Sequence, residues 1–110
     1  MRKLQIYIEI EGKQTYVGLI TGDSPQDARF AYSDSYIAAG YPPISISLPI
    51  SRNPFSAEAT KNFFEGLLPE GFARKCVANW IHTSEDDYLT ILSVLGSECL
   101  GALRVSDNIH

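Results

Sequence analysis

The chain has 110 residues, of which 45% are hydrophobic and 20% charged, with a formal net charge of −4. That length suits a domain burying roughly 60–70% of its unfolded surface, and leaves too little chain for a core plus a separate large catalytic domain. Nine basic residues are scattered among thirteen acidic ones. The clustered cations that phosphate neutralisation requires are not there, so direct nucleic-acid binding is not expected. No apolar run has the length of a membrane span. MRKLQIYIEIEG opens with basic then apolar residues, but Glu9 and Glu11 alternate into the run and no small-residue cleavage site follows, so a strand is expected rather than a leader. One domain over 1–110, in the cytoplasm, is the expectation.

Leu4, Ile6, Ile8 and Ile10 alternate with polar or amphipathic residues, the period of a half-buried strand. Gly12-Lys13 reads as a tight turn, and Thr15, Val17 and Leu19 continue the pattern, so the two runs predict a hairpin. GDSPQDA, 22–28, is a loop by composition. ARFAY, 28–32, predicts a short third strand. SDSYIAAG predicts a brief helical turn capped by Ser33 or Asp34. After Pro42 and Pro43, ISISLPI alternates again and predicts a fourth strand, with Pro49 confining its end to an edge or bulge.

The second half changes period. Ser56 is a candidate N-cap for a helix whose stripe is Phe63, Phe64, Leu67 and Leu68, with Glu58 suited to its positive end and Pro69 ending it. A second helix from about Glu70 would place Phe72, Cys76, Val77 and Trp80 on one face. TSEDD predicts a third, capped by Thr83 or Ser84, with Tyr88, Leu89, Leu92 and Leu95 as its stripe and Gly96 as its stop. LGALRV, 100–105, predicts a last strand returning to pair with an early one. Strands followed by helices indicate the α+β class: a small, mainly antiparallel sheet of about five strands packed with about three helices in the second half.

Catalytic patterns are missing from the sequence. It holds no G-x-S-x-G, no HExxH and no Walker loop, and Asp23, Asp27 and Asp34 are not at calcium-loop spacing. Cys76 and Cys99 form neither a CxxC pair nor a zinc-type cluster, and two reduced, mostly buried thiols are expected. His82 beside Glu85, Asp86 and Asp87 is the best metal or acid–base candidate. The same residues also suit the end of one helix and the start of the next, which is the stronger reading. No cofactor and no metal are expected. Arg74 and Lys75 could pair with a partner's carboxylates or form a solvated face. Phe72, just after Pro-Glu-Gly, is either core or a protruding anchor of the kind that dominates interfaces.

VGLI (17–20), FAYSDSYI (30–37), ISLPI (46–50), FFEGLLPEGFAR (63–74) and LSVLGSECLGALRV (92–105) occur in that order. Together they resemble the N-terminal subdomain of HipA-type serine/threonine kinases, toxins of a bacterial toxin–antitoxin class. The resemblance runs from Val17 to Val105 and is most specific in LLPEG and GSECLGAL. Glu98 departs from the aspartate that the family most often has before this cysteine. In such kinases a long body carrying the ATP-binding and catalytic residues follows, and none of its motifs stands in this sequence, so no catalytic residue is carried over.

As a stand-alone chain the sequence is similar to the HipS kind of small protein from three-gene HipBST operons, where the kinase HipT is a separate chain and HipB binds DNA. The resemblance implies a non-enzymatic antitoxin that binds and neutralises a HipT-like Ser/Thr kinase, with a HipB-like DNA-binding protein as a candidate third member. The expected kinase contact is Pro69, Glu70, Gly71, Phe72 and Arg74. The alternative is an excised N-terminal subdomain of a HipA-type kinase, or a subunit that scaffolds kinase and DNA-binding protein without inhibiting.

Overall fold

The computed structural model describes residues 2–68, 71–84, 86–96 and 103–106. Strands β1 (Arg2–Ile10) and β2 (Lys13–Gly22) form the expected hairpin. Its turn is Glu11-Gly12, one residue earlier than predicted, with φ of 51° and 80°. Two successive left-handed residues match the twist of the flanking strands, and Lys13 is thereby released to pair with Ile10.

The register slips by one between Ile6, opposite Gly18, and Tyr7, opposite Tyr16. Val17 is the extra residue, and β2 bulges there. Val17 and Ile20 are therefore both buried, while Leu19 turns to the opposite face and is half-buried, against the simple alternation expected. On its other side β2 continues its ladder past the Gly18–Tyr32 pair, the Val17 carbonyl accepting from the Ser33 N–H at 2.8 Å.

Strand β3 (Arg29–Tyr32) pairs with β2, and β4 (Leu103–Ser106) pairs with β1. The sheet order is β3-β2-β1-β4, antiparallel throughout. A Cβ at Gly18 would lie 2.1 Å from the Ala31 carbonyl oxygen, so β3 approaches β2 this closely only because that position has no side chain. The last strand returns to the first, as predicted.

Four helices lie among the described residues: α1 (Asp34–Ala38), α2 (Ala57–Glu65), α3 (Gly71–Trp80) and α4 (Tyr88–Leu95). Ser33 and Ser56 cap α1 and α2 as expected, accepting from the N–H groups of Tyr36 and Ala59. Helix α1 packs on β2, α2 on β3 and α4, and α4 on β4. Phe64, Tyr88, Leu89 and Leu92 thus meet Ile6, Ile20, Phe30 and Val105 in one apolar cluster. The α+β class holds.

Three expectations about the elements are corrected. ISISLPI forms no strand, so the described sheet has four strands rather than about five. Residues 45–48 instead make a tight turn, with the Leu48 N–H on the Ser45 carbonyl at 3.1 Å and the Ser47 N–H on Ser45 Oγ at 3.2 Å. The Tyr32 hydroxyl donates to the Leu48 carbonyl and accepts from the Ile44 N–H at 3.0 Å. Serine side chains and a distant phenol thus satisfy the backbone groups a ladder would have used.

Helix α3 is rotated from its predicted face. Ala78 is buried and Val77 half-buried, whereas Trp80 is 75% exposed and Cys76 is exposed, so that thiol is not a core residue. The N-cap of α4 is Asp87, neither Thr83 nor Ser84.

Asp87 gathers a small network. Its carboxylate accepts from Thr83 Oγ1 at 2.8 Å, from Thr90 Oγ1 at 2.5 Å and from the Thr90 N–H at 3.2 Å, and Arg2 Nη1 lies 3.4 Å away. Partial burial alone would push the carboxyl up, but the hydrogen bonds from Thr90 and Thr83 and the Arg2 charge outweigh it and hold Asp87 below its ordinary value. A depressed carboxyl contributes stability above the unfolded value near 3.8 and loses it as pH falls through the lower folded value. Unfolding midpoints measured from pH 6 to pH 2 should therefore fall in the acid range, and Asp87→Asn should flatten part of that fall.

The outer edge of β3 is closed by the segment leading into α2. The Phe30 N–H donates to Thr60 Oγ1 at 2.9 Å, and the Phe30 carbonyl accepts from the Phe55 N–H at 2.8 Å. Thr60 is fully buried and passes its own proton to the Ser56 carbonyl at 2.9 Å. Replacing it by the isosteric valine strands a buried N–H. Thr60→Val should cost about 1–3 kcal/mol in chemical denaturation, with little change in the denaturant slope.

Candidate functional site

The segment singled out by sequence lies at the corner between α2 and α3. Helix α2 ends at Glu65, and its last turn tightens, with the Leu67 N–H on the Phe64 carbonyl at 3.2 Å and the Leu68 N–H on the Glu65 carbonyl at 3.1 Å. Phe64 and Leu68 point into the core, while Phe63 and Leu67 are only partly covered. Both aromatics belong to one ladder of rings: Phe63 meets Phe64 edge-on at 4.9 Å, and Phe64 meets Phe30 at 5.5 Å.

Of the five predicted contact residues, Pro69 and Glu70 lie outside the described residues, and Phe72 is described only by its backbone, in the first turn of α3. Gly71 opens α3 at φ 59°, and a Cβ there would meet nothing within 4 Å. The position is strained for other residues by backbone conformation rather than by crowding.

Arg74 is not a freely solvated cation. Its guanidinium reaches back to Glu65, with Nη1 3.3 Å from Oε1 and Nη2 donating to the main-chain carbonyl at 3.1 Å. A cation on the last carbonyls of α2 opposes the negative end of that helix and ties the two helices together. Glu65 also lies near Tyr88 on α4. Burial, then the charges of Glu65 and Asp27, push the Tyr88 phenol up to about 12.

His82 ends α3 in the left-handed region, at φ 60°. Its N–H bonds to the Asn79 carbonyl at 3.2 Å, and the Thr83 N–H bonds to the Ala78 carbonyl at 2.9 Å. These are the two bonds of a Schellman stop, with histidine where glycine is usual. Glu85 lies outside the described residues; Asp86 is exposed, and Asp87 is occupied as a cap. No group of three metal-ligating side chains occurs among the described residues. Since a non-glycine residue in this conformation is strained, His82→Gly should raise stability by about 0.5–1 kcal/mol, read as a higher thermal midpoint.

Sequence reasoning did not single out the surface beside this corner. Ser47, Ala59, Asn62, Phe63, Gly66 and Leu67 line an open groove of about 470 Å³. The signal was present: Phe63, Phe64, Leu67 and Leu68 make an apolar arc too wide for the core contact of one short helix.

A sheet covered on one face by short helices, with its last strand returned to its first, defines a compact α+β module. Residues 8–106 match the HipA N-terminal domain family, and the chain belongs to that family. Among curated proteins it is similar to the putative kinase Y4mE of Sinorhizobium fredii (strain NBRC 101917 / NGR234), with 37% identity over 90 residues. Those residues are 81% of this chain but only 21% of Y4mE, so the chain spans about a fifth of that relative. It is also similar to an uncharacterized protein of Haemophilus influenzae (strain ATCC 51907 / DSM 11121 / KW20 / Rd), 28% identical over 92 residues, covering 84% of this chain and 83% of that one. No described helix is long and apolar enough to cross a membrane.

Proposed function

We propose that this protein is a non-enzymatic antitoxin that binds a HipT-like serine/threonine kinase in the bacterial cytoplasm and neutralises it. The observation that carries this reading is the contrast in coverage. A HipA N-terminal domain accounts for 8–106 here, yet the matched part is only 21% of the relative named as a putative kinase. The Haemophilus relative is matched over 83% of its own length, so a protein of about this size carries the similarity. In this reading the kinase body is another chain, and a HipB-like DNA-binding protein is the third member of the complex.

The contact is the corner from Pro69 to Arg74. The Arg74–Glu65 tie and the backbone of Gly71 fix the angle at which α3 leaves α2. Phe72, one residue into α3, is then the anchor presented to the kinase cleft, where it blocks nucleotide or substrate. A cleft that holds nucleotide phosphates and Mg²⁺ needs positive potential, and a partner of net charge −4 is steered toward it. Arg74 acts through the corner it holds rather than by direct pairing.

Co-expression with the kinase chain encoded beside this gene tests the reading. Growth arrest should be relieved, and the two proteins should co-purify. Phe72→Ala should leave the circular dichroism spectrum unchanged and lose inhibition by about tenfold or more, the size of an interface hot spot. Unchanged inhibition by that variant removes Phe72 from the mechanism.

The similarity to one-fifth of Y4mE favours a second reading, an N-terminal subdomain excised from a longer kinase or a scaffolding subunit. Kinase activity measured with and without the chain separates the two, because a scaffold leaves it unchanged.

A further inference from the structure

Helix α3 is held to the body at few points. Among its described side chains only Ala78 is fully buried; Val77 packs on the rim of the core, as does Ile81 just beyond the helix. Ala73, Lys75, Cys76, Asn79 and Trp80 are exposed. The shorter α4 buries Tyr88, Leu89, Ile91 and Leu92. An element with so few buried apolar contacts lies at the low end of local stability.

Both ends of α3 suit a pivot. Gly71 opens it at φ 59°, with nothing within 4 Å of where a Cβ would stand, and His82 follows it at φ 60°. The stop at His82 uses only carbonyls of α3 itself, those of Asn79 and Ala78, so it travels with the helix. The body resumes at Thr83, whose hydroxyl Asp87 holds. At the front, Arg74 fastens α3 to the end of α2 through both the carboxylate and the main-chain carbonyl of Glu65.

Near the same carboxylate is a donor without an acceptor. Tyr88 is fully buried, and its hydroxyl has no hydrogen-bond partner among the described residues. A buried polar group left unpaired is costly and uncommon, and it demands a reason. The phenol is pushed up to about 12, so it stays a neutral donor. Glu65 and Asp27 are the acids that act on it, Glu65 the more strongly. Asp27 is already taken: its Oδ1 accepts from the Asp23 and Ser24 N–H groups at 3.0 and 2.9 Å. Glu65 is held by Arg74 alone among the described side chains, at 3.3 Å.

We propose that α3 is a strap that opens as a unit between Gly71 and His82, and that Tyr88 takes over the Glu65 carboxylate when Arg74 lets go. The structure shows the closed setting, in which Arg74 is the latch and Tyr88 waits. In the open setting the carboxylate keeps a donor and the phenol gains an acceptor, so release of the latch strands neither group. Closed, the strap fixes the position of Phe72 in its first turn; open, it moves without disturbing α2 or α4. The device belongs to this chain alone and holds whether or not its partner is a kinase.

Two measurements on the purified full-length protein test it. In native-state hydrogen exchange, the amides of residues 75–81 should exchange together and at least about tenfold faster than the protected amides of α2 and α4. Equal protection in the three helices overturns the strap. The takeover is read from a double-mutant cycle on the folding equilibrium constant, obtained by urea denaturation. In wild type, Tyr88→Phe removes an unpaired hydroxyl and should leave the constant within about twofold or raise it. On an Arg74→Met background, which keeps the packed stem but frees Glu65, the same substitution should lower the constant by about fivefold or more. A loss in wild type shows the hydroxyl already bonded, and an equal effect in both backgrounds shows that Tyr88 and Arg74 do not share Glu65. Either result overturns the takeover. The exchange measurement needs no variant, so the strap remains testable should Arg74→Met fail to fold.

Discussion

Phe30 has backbone groups on its outer side that no strand pairs, and the start of α2 supplies their partners. The Thr60 hydroxyl accepts the N–H, and the Phe55 N–H reaches the carbonyl. Arg29 reinforces the contact from the neighbouring position, donating through Nε to the Phe55 carbonyl at 2.8 Å. An open edge strand invites pairing with other chains, and here a helix entry covers it. The same bonds dock α2 against β3, which lets Phe64 meet Phe30 edge-on and sets where the rest of α2 faces. The α2–α3 corner and the groove beside it take their positions from that one closure.

Local signals in the sequence located most of the fold. The hairpin follows from alternation and a turn, the caps at Ser33 and Ser56 from hydroxyl chemistry, and the returning strand from its apolar pattern. The failures have a common cause, which is contact between distant residues. ISISLPI carries a strand pattern, yet a hydroxyl from Tyr32, sixteen residues before Leu48, takes its backbone. The face of α3 could not be read because Phe72, Cys76, Val77 and Trp80 satisfy helical spacing whichever side is buried. Asp87 takes the α4 cap from Thr83 and Ser84 through its bonds to the Thr90 N–H and to the Thr90 and Thr83 hydroxyls, with Arg2 beside it. At the site, the Pro-Glu-Gly signal located the corner, but the engagement of Arg74 by Glu65 is visible only in three dimensions.

The end of α2 and the tightened turn that follows it divide the labour. Phe64 and Leu68 serve the core, whereas Phe63 and Leu67, one position earlier in each pair, look outward. A helix that feeds both the interior and an open groove couples the two. A shift of α2 on the sheet changes the width of the groove, because its Ser47 side is braced by Tyr32 in β3.

The pairing of β4 with β1 sets the order in which the domain can be completed during synthesis. Ser106 finds its partner, Gln5, about a hundred residues after Gln5 has left the ribosome. Until then β1, central in the finished sheet, has one side bare. Such a long-range closure is slow, because a large loop must be ordered before the contact rewards it. The nascent hairpin therefore keeps an unpaired edge while about a hundred further residues are made, a window in which a chaperone or a partner chain being made nearby could engage it first.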